Sequence, residues 1–218
     1  MKVTTDSCLL GASAFHPKPK TILDIGAGTG LLSLMIAQRY PESLIDATEI
    51  DEDAFQQARA NVALSKWANR IILKLSSIQK FSNNSNKAYD LIISNPPYYS
   101  TQQHTEDHKQ NIAWHSTKLG QEELARISSK HISDEGSVFF IYPARESRLF
   151  ENIALKYDLY PFYKLNVKNR EKDSIFRIVS GYGKKNVDII EEQIVIRQAD
   201  DTYSQQFKTL LKDFYLAF

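Results

Sequence analysis

The chain has 218 residues, 42% of them hydrophobic and 24% charged, with a net charge of +1. It is long enough for one well-buried domain and too balanced in charge to grip phosphate backbone over its whole surface, so any nucleic-acid contact has to be local. A single cysteine, Cys8, excludes an internal disulfide or a cysteine metal cluster and fits a reducing compartment; no apolar run approaches a bilayer span, and a cytoplasmic protein is expected.

In chain order, MKVTTDSCLLGASAF comes first. Ala12-Ser13-Ala14 imitates a signal-peptidase site, but the apolar stretch before it is very short and Asp6 stands where positive charge belongs, so no signal peptide is read. TILDI, from Thr21 to Ile25, is a short apolar strand ending in glycines, and GLLSLMIAQRY carries apolar residues at helical spacing. SLIDATEI is a second strand closing on Glu49. DEDAFQQARANVALSK opens with acids suited to a helix N-terminus. RIILKLSS and YDLIISN are a third and a fourth strand, separated by the polar loop SNNSNK. After a long polar insert, GQEELARISSKHI is helical, GSVFFIYP is a strand and ARESRLFENIALKY is helical. YPFYKLNV, SIFRIVSGYG and EEQIVIR then turn the pattern from alternating to mostly strand. This order predicts an α/β protein with a mainly parallel sheet and an antiparallel edge.

LDIGAGTG places Asp24, Gly26, Gly28 and Gly30 on a strand-to-helix turn, where glycines let the backbone bend sharply and approach a ligand. The spacing is G-x-G-x-G rather than the G-x-G-x-x-G of dinucleotide enzymes. Glu49 follows about twenty residues later at the end of the next strand, where an acid can accept both hydroxyls of a ribose. A nucleoside without a pyrophosphate suits this arrangement. S-adenosylmethionine fits, with its ribose at Glu49, its adenine beside Ile50 and its amino-acid end at Asp24 and the turn. NAD is the competing ligand, and a tight turn that binds nothing is the bland alternative.

DLIISNPPYYS ends the fourth strand with an amide, two prolines and two tyrosines. In an open α/β sheet, ligands sit beyond the carboxyl ends of the strands near the switch point, which brings Asn95, Pro96, Pro97 and Tyr98 beside the ligand's reactive end. An amino group on a π system is a poor nucleophile because its lone pair is delocalised. Two acceptors on its hydrogens, the Asn95 side-chain oxygen and the Pro96 carbonyl, favour a localised lone pair and aim it at a sulfonium methyl. Tyr98 can stack on the planar acceptor, and the prolines stiffen the loop. No metal is required. A Pro-Pro strand terminator with an incidental Asn and Tyr is the alternative.

LDIGAGTG, EID and SNPPY, in this order, resemble the class I S-adenosylmethionine-dependent amino-methyltransferases. MKVTTDSCLLGA, the doubled tyrosine of NPPYY and IVIR…YSQQFKTLLKDFYLAF narrow the resemblance to the bacterial tRNA methyltransferases acting on N6 of adenosine 37 in tRNA1(Val). The resemblance covers nearly the whole chain. It implies a Rossmann-like fold with a mainly parallel seven-stranded sheet, an antiparallel edge strand and helices on both faces. It also implies one methyltransferase domain over 1–218, with 1–20 lying over the cofactor site. Cofactor contacts are implied at Asp24, Gly26, Gly28, Glu49, Ile50 and Asn95, with Lys2, Thr5 and Asp6 over the cofactor. Asn95, Pro96, Pro97 and Tyr98 form the implied target-amine site. Ser77, followed by Ile78, stands where the family often has an acid reaching the adenine amine, and its hydroxyl can still hydrogen-bond. The aromatic and basic lead-in usual before the Met-Lys-Val stretch is not in this sequence. The implied partner is the anticodon loop of a tRNA, and the protein is expected to be a monomer without a metal or membrane association.

Two features are read more weakly. The insert YYSTQQHTEDHKQNIAWHS, with His104, His108, Lys109 and His115, is a closing loop or a solvated one. Lys164, Lys168, Arg170, Lys172 and Arg177 form the best candidate for a phosphate-tracking patch. Phe214, Tyr215 and Phe218 are expected to pack into the core or close the sheet edge. The rival readings are the same chemistry on DNA adenine or a release-factor glutamine and, from another class, a nucleotide-dependent oxidoreductase or a silent binding module. The lack of room for a target-recognition or N-terminal helical domain counts against the first pair. The lack of a recognisable proton-relay residue counts against an oxidoreductase.

Overall fold

The computed structural model describes residues 4–97 and 120–215. Eight strands form one sheet: β1 Thr21–Ile25, β2 Leu44–Glu49, β3 Ile71–Leu75, β4 Tyr89–Ser94, β5 Ile132–Pro143, β6 Tyr160–Lys168, β7 Ile175–Gly183 and β8 Ile190–Val195, in the order β3-β2-β1-β4-β5-β7-β6-β8. β1 pairs in parallel with both β2 and β4, which makes it the point where the winding changes direction. The α/β class expected from the sequence is present. Its eight β-rich runs all form strands, one more than the seven the family resemblance implied. The antiparallel pairing also stands: β7 runs against both β5 and β6, but it lies between them, and the outermost strand β8 is parallel to β6.

Seven helices flank the sheet among the described residues: α1 Thr5–Ser13, α2 Leu31–Arg39, α3 Glu52–Ala63, α4 Ile78–Asn83, α5 Gln121–His131, α6 Ala144–Leu155 and α7 Gln205–Leu211. Local chemistry explains several of them. The Asp51 side chain accepts from Ala54 N at the start of α3, and Glu52 and Asp53 place negative charge in its first turn. Glu122 and Glu123 open α5 while Lys130 closes it, each charge opposing the helix dipole. α1 and α4 were not expected as helices. Thr4 caps α1, and Cys8, Leu9 and Leu10 bury its inner face; Ser77 caps α4, which buries Ile78 and Phe81.

Because successive strand residues point to opposite faces, each central strand feeds two cores. Ile22, Leu91, Ile93, Phe139 and Ile141 pack with α1, α2 and α7. Leu23, Ile92, Val138, Phe140 and Tyr142 pack with α4, α5 and α6. Asp24 shares parity with Ile22, and Asn95 with Leu91 and Ile93. Both therefore belong to the face covered by α1 and α2.

Candidate active site

The end of β1 is locked to its neighbours on both sides. Gly26 N and Ala27 N each donate to Thr48 O of β2 at 2.9 Å, and Ser94 Oγ of β4 donates to Ile25 O at 2.7 Å. The register pairs Asp24 with Ile93, so Gly26 and Asn95 lie two residues further along adjacent strands. The glycine-rich turn and the Asn-Pro-Pro turn thus leave the sheet side by side. Gly26, Gly28 and Gly30 have φ of 72°, 58° and 82°, a left-handed conformation that side chains resist, and Gly30 starts α2.

Asp24 is fully buried. Ser33 Oγ on α2 donates to its Oδ2 at 2.6 Å, while Oδ1 has no hydrogen-bond partner among the described residues. Burial pushes the carboxyl up to about 7; the Ser33 bond opposes the rise and the charge of Glu49 adds to it. A buried carboxylate oxygen left unsatisfied costs roughly 1–3 kcal/mol, which marks it as an acceptor open to a further donor. Glu49, also buried, accepts from Gly28 N at 2.7 Å through Oε2 and from Ile50 N and Asp51 N at 2.8 and 2.9 Å through Oε1. A carboxylate has about four acceptor sites, so with three taken it holds its loop in place and keeps one for a hydroxyl donor. Ile50, next to it, is 56% exposed, an apolar surface at the rim of the turn.

β3 ends beside this rim, with Ser76 N donating to Glu49 O at 2.8 Å. Ser77 Oγ accepts from Lys80 N at 3.2 Å as the cap of α4, and Ile78 is buried behind it. On the opposite side, Asn95 Nδ2 donates to Ser7 Oγ of α1 at 2.9 Å; Pro96 is buried and Pro97 exposed. Thr5 is exposed at the first turn of α1, whereas Asp6 forms an ion pair with Arg177 Nε of β7 at 2.8 Å. Lys2, Tyr98, the histidines 104, 108 and 115, Lys109 and Phe218 lie outside the described residues. Sequence reasoning missed Ser7, Ser33 and Ser94. Only Ser33 left a trace, as a lone hydroxyl in the apolar run of α2.

The basic cluster read from the sequence does not hold together as one patch. Lys164 pairs with Glu151 and Glu191, Arg170 with Asp201, and Arg177 with Asp6. Long cations on neighbouring strands found nearby acids, which a one-dimensional count of charges does not show. Arg170 and Lys172 instead join Arg197, Ser204 and Gln206 around a cavity of about 670 Å³. It lies at the carboxyl ends of β6 and β8, the same end of the sheet as the glycine turn, because both strands run in the direction of β1 and β4. Among the described residues, no group of three or more His, Cys, Asp or Glu could hold a metal ion, and no helix is long and apolar enough to cross a membrane.

The switch-point turn, the buried acids at the ends of β1 and β2 and the Asn-Pro-Pro turn after β4 define a Rossmann-like methyltransferase. The fold is shared with an Agrobacterium tumefaciens protein described as a "predicted O-methyltransferase" (TM-score 0.76, 14% identity, 95% of this chain and 96% of that one). It is also shared with the ribosomal protein L11 methylase of Lactobacillus delbrueckii subsp. bulgaricus (TM-score 0.57, 18% identity, 82% and 78%). Residues 5–135 match the methyltransferase small domain family. Curated relatives include proteins named tRNA1(Val) (adenine(37)-N6)-methyltransferase from Dyadobacter fermentans, 40% identical over 100% of this chain and 92% of the relative, and Flavobacterium johnsoniae, 37% identical over 99% and 93%. The same name is carried by a Yersinia enterocolitica protein 33% identical over 99% and 86%. The chain belongs to this tRNA1(Val) (adenine(37)-N6)-methyltransferase family.

Proposed function

We propose that the chain transfers the methyl group of S-adenosylmethionine to N6 of adenosine 37 in tRNA1(Val), acting in the cytoplasm as a single methyltransferase domain. The observation that carries the reading is the Asn95-Pro96-Pro97 turn, held against the glycine-rich turn by the Ser94–Ile25 bond in a chain of this family. The residues present fit the cofactor. Asp24 Oδ1 is a buried acceptor awaiting a donor, and a Cβ built on Gly26 would meet nothing within 4 Å, so the turn is open on its ligand side.

S-adenosylmethionine, when bound, supplies an electrophilic sulfonium methyl. Asp24 would take its ammonium group, Gly26 and Gly28 let the backbone approach it, and Glu49 would accept from a ribose hydroxyl. Ile50, with Ser77 and Ile78 beyond it, would line the adenine, and Thr5, Asp6 and Lys2 would cover the site from α1 and the segment before it. On the substrate side, the Asn95 side-chain oxygen and the Pro96 carbonyl accept the two hydrogens of the target amine. That grip localises the nitrogen lone pair and fixes its direction. Tyr98 stacks on the adenine, which must leave the anticodon-loop stack, where unstacking costs little. Pro97 keeps the turn rigid.

The test supplies labelled S-adenosylmethionine with total tRNA, duplex DNA or release factor in separate reactions, for wild type and Asn95→Ala, followed by nucleoside mass spectrometry. The expected result is N6-methyladenosine at position 37 of tRNA1(Val) with wild type and none with the variant. Label in DNA or release factor would overturn the substrate while keeping the chemistry.

A further inference from the structure

The Asn95 amide is held from α1. Its Nδ2 donates to Ser7 Oγ at 2.9 Å, and Ser7 Oγ lies 3.1 Å from Thr4 Oγ1. A serine hydroxyl has one proton to give. Its oxygen has two lone pairs, so it accepts from the amide and pairs with Thr4 Oγ1 with either hydroxyl as the donor; Thr4 Oγ1 also accepts Ser7 N at 3.3 Å as the cap of α1. The chain of bonds therefore runs from Asn95 Nδ2 to Ser7 Oγ to Thr4 Oγ1. An amide carries its nitrogen and oxygen on opposite arms of a planar fork, so tying Nδ2 to α1 turns Oδ1 away from α1. The support does not slide: Leu9 and Leu10 of α1 are fully buried, and Asp6 is paired with Arg177 of β7.

We propose that Ser7 is a positioning residue for methyl transfer, holding the Asn95 amide with its nitrogen against α1 so that Oδ1 is presented to the target amine. The inference rests on the reading of Asn95 as an acceptor for that amine. An amide turned the other way would set N–H against N–H, a contact that can neither hold the amine nor direct its lone pair. Ser7 touches no reacting atom and acts only through Asn95.

Steady-state kinetics on Ser7→Ala, Ser7→Thr and Asn95→Ala, with cofactor affinity and melting temperature measured in parallel, test this. For Ser7→Ala, kcat should fall about 10- to 100-fold, the scale of a misplaced catalytic group, with KM for tRNA, cofactor affinity and melting temperature nearly unchanged. Ser7→Thr, which keeps the hydroxyl, should recover most of the loss. Wild-type turnover in Ser7→Ala beside an inactive Asn95→Ala overturns the role of Ser7 and leaves the reading of Asn95 standing. Wild-type turnover in Asn95→Ala overturns both. A Ser7→Ala loss accompanied by a lowered melting temperature and not recovered by threonine assigns Ser7 to the stability of α1 and overturns the proposal.

Discussion

Asp24 concentrates the electrostatics of the site in one carboxyl group. Its ordinary value is 3.8, and burial carries it to about 7 in the folded chain. An acid raised on folding is protonated more readily in the folded state, so its contribution to stability declines as pH rises from about 4 to about 7. A cationic ligand has the opposite preference, because it needs the ionised form. Cofactor affinity is therefore expected to strengthen by up to about tenfold per pH unit from pH 5 towards 7 and to level off above, one proton being released on binding. Titration calorimetry in buffers of different ionisation enthalpy measures both the slope and the proton. Asp24→Asn should flatten the profile, and a flat wild-type profile would mean that the carboxyl is ionised before the ligand arrives. The acid itself was legible in LDIGAGTG. Its unusual state was not, since that depends on complete burial and on the charge of Glu49 from β2, against which the Ser33 bond from α2 works, and none of these is set by its neighbours in sequence.

Elements show a similar division. β1 reads as a strand because Ile22, Leu23 and Ile25 are apolar, and the glycines mark its end because only they tolerate the positive φ that the turn needs. Gly26→Ala forces a methyl group into φ 72° but into open space. The cost in stability should be about 1–2 kcal/mol, the price of a left-handed residue. The loss of cofactor affinity should be the larger effect, since the methyl projects where a ligand would lie. Urea unfolding and cofactor titration on the same variant separate the two effects, and an unchanged affinity would remove Gly26 from the cofactor contacts. α4 was not read from the sequence as an element, because six residues hold too little periodicity to register. It forms because Ser77 caps it and Phe81 finds a buried place under the Lys74 ammonium, 4.7 Å from the ring centre.

At the scale of the whole molecule, the two ends of the chain support each other and the site. Burial raises the Cys8 thiol of α1 above its ordinary range, and the Tyr215 side chain after α7 opposes that rise. Phe207 of α7 is buried in the same core as Leu9 and Leu10, stacked on Tyr203 at 4.9 Å and edge-on to Tyr215 at 6.2 Å. The C-terminal aromatic residues Phe214 and Tyr215 pack against this core, as the sequence led one to expect. Phe207→Ala should destabilise the protein by about 3–5 kcal/mol, the usual cost of emptying a phenylalanine site. Because that core also seats α1, cofactor affinity should weaken well below the melting temperature. A variant that melts early yet binds the cofactor normally up to its melting point would show that α1 is seated independently of α7.

The sequence by itself determined the strand and helix alternation, the glycine turn, the acids at the ends of β1 and β2 and the Asn-Pro-Pro turn. Each of these is a local matter, set by backbone conformation, side-chain period or short-range chemistry. Only the tertiary structure decided that β7 inserts between β5 and β6, that Ser94 fastens the two functional turns together and that Ser7 meets Asn95 across 88 positions of chain. It also decided that most of the candidate phosphate-binding cations are already paired with acids. Contacts of this kind join residues far apart in the chain, and they are selected by what packs against what once the sheet has closed over its two cores.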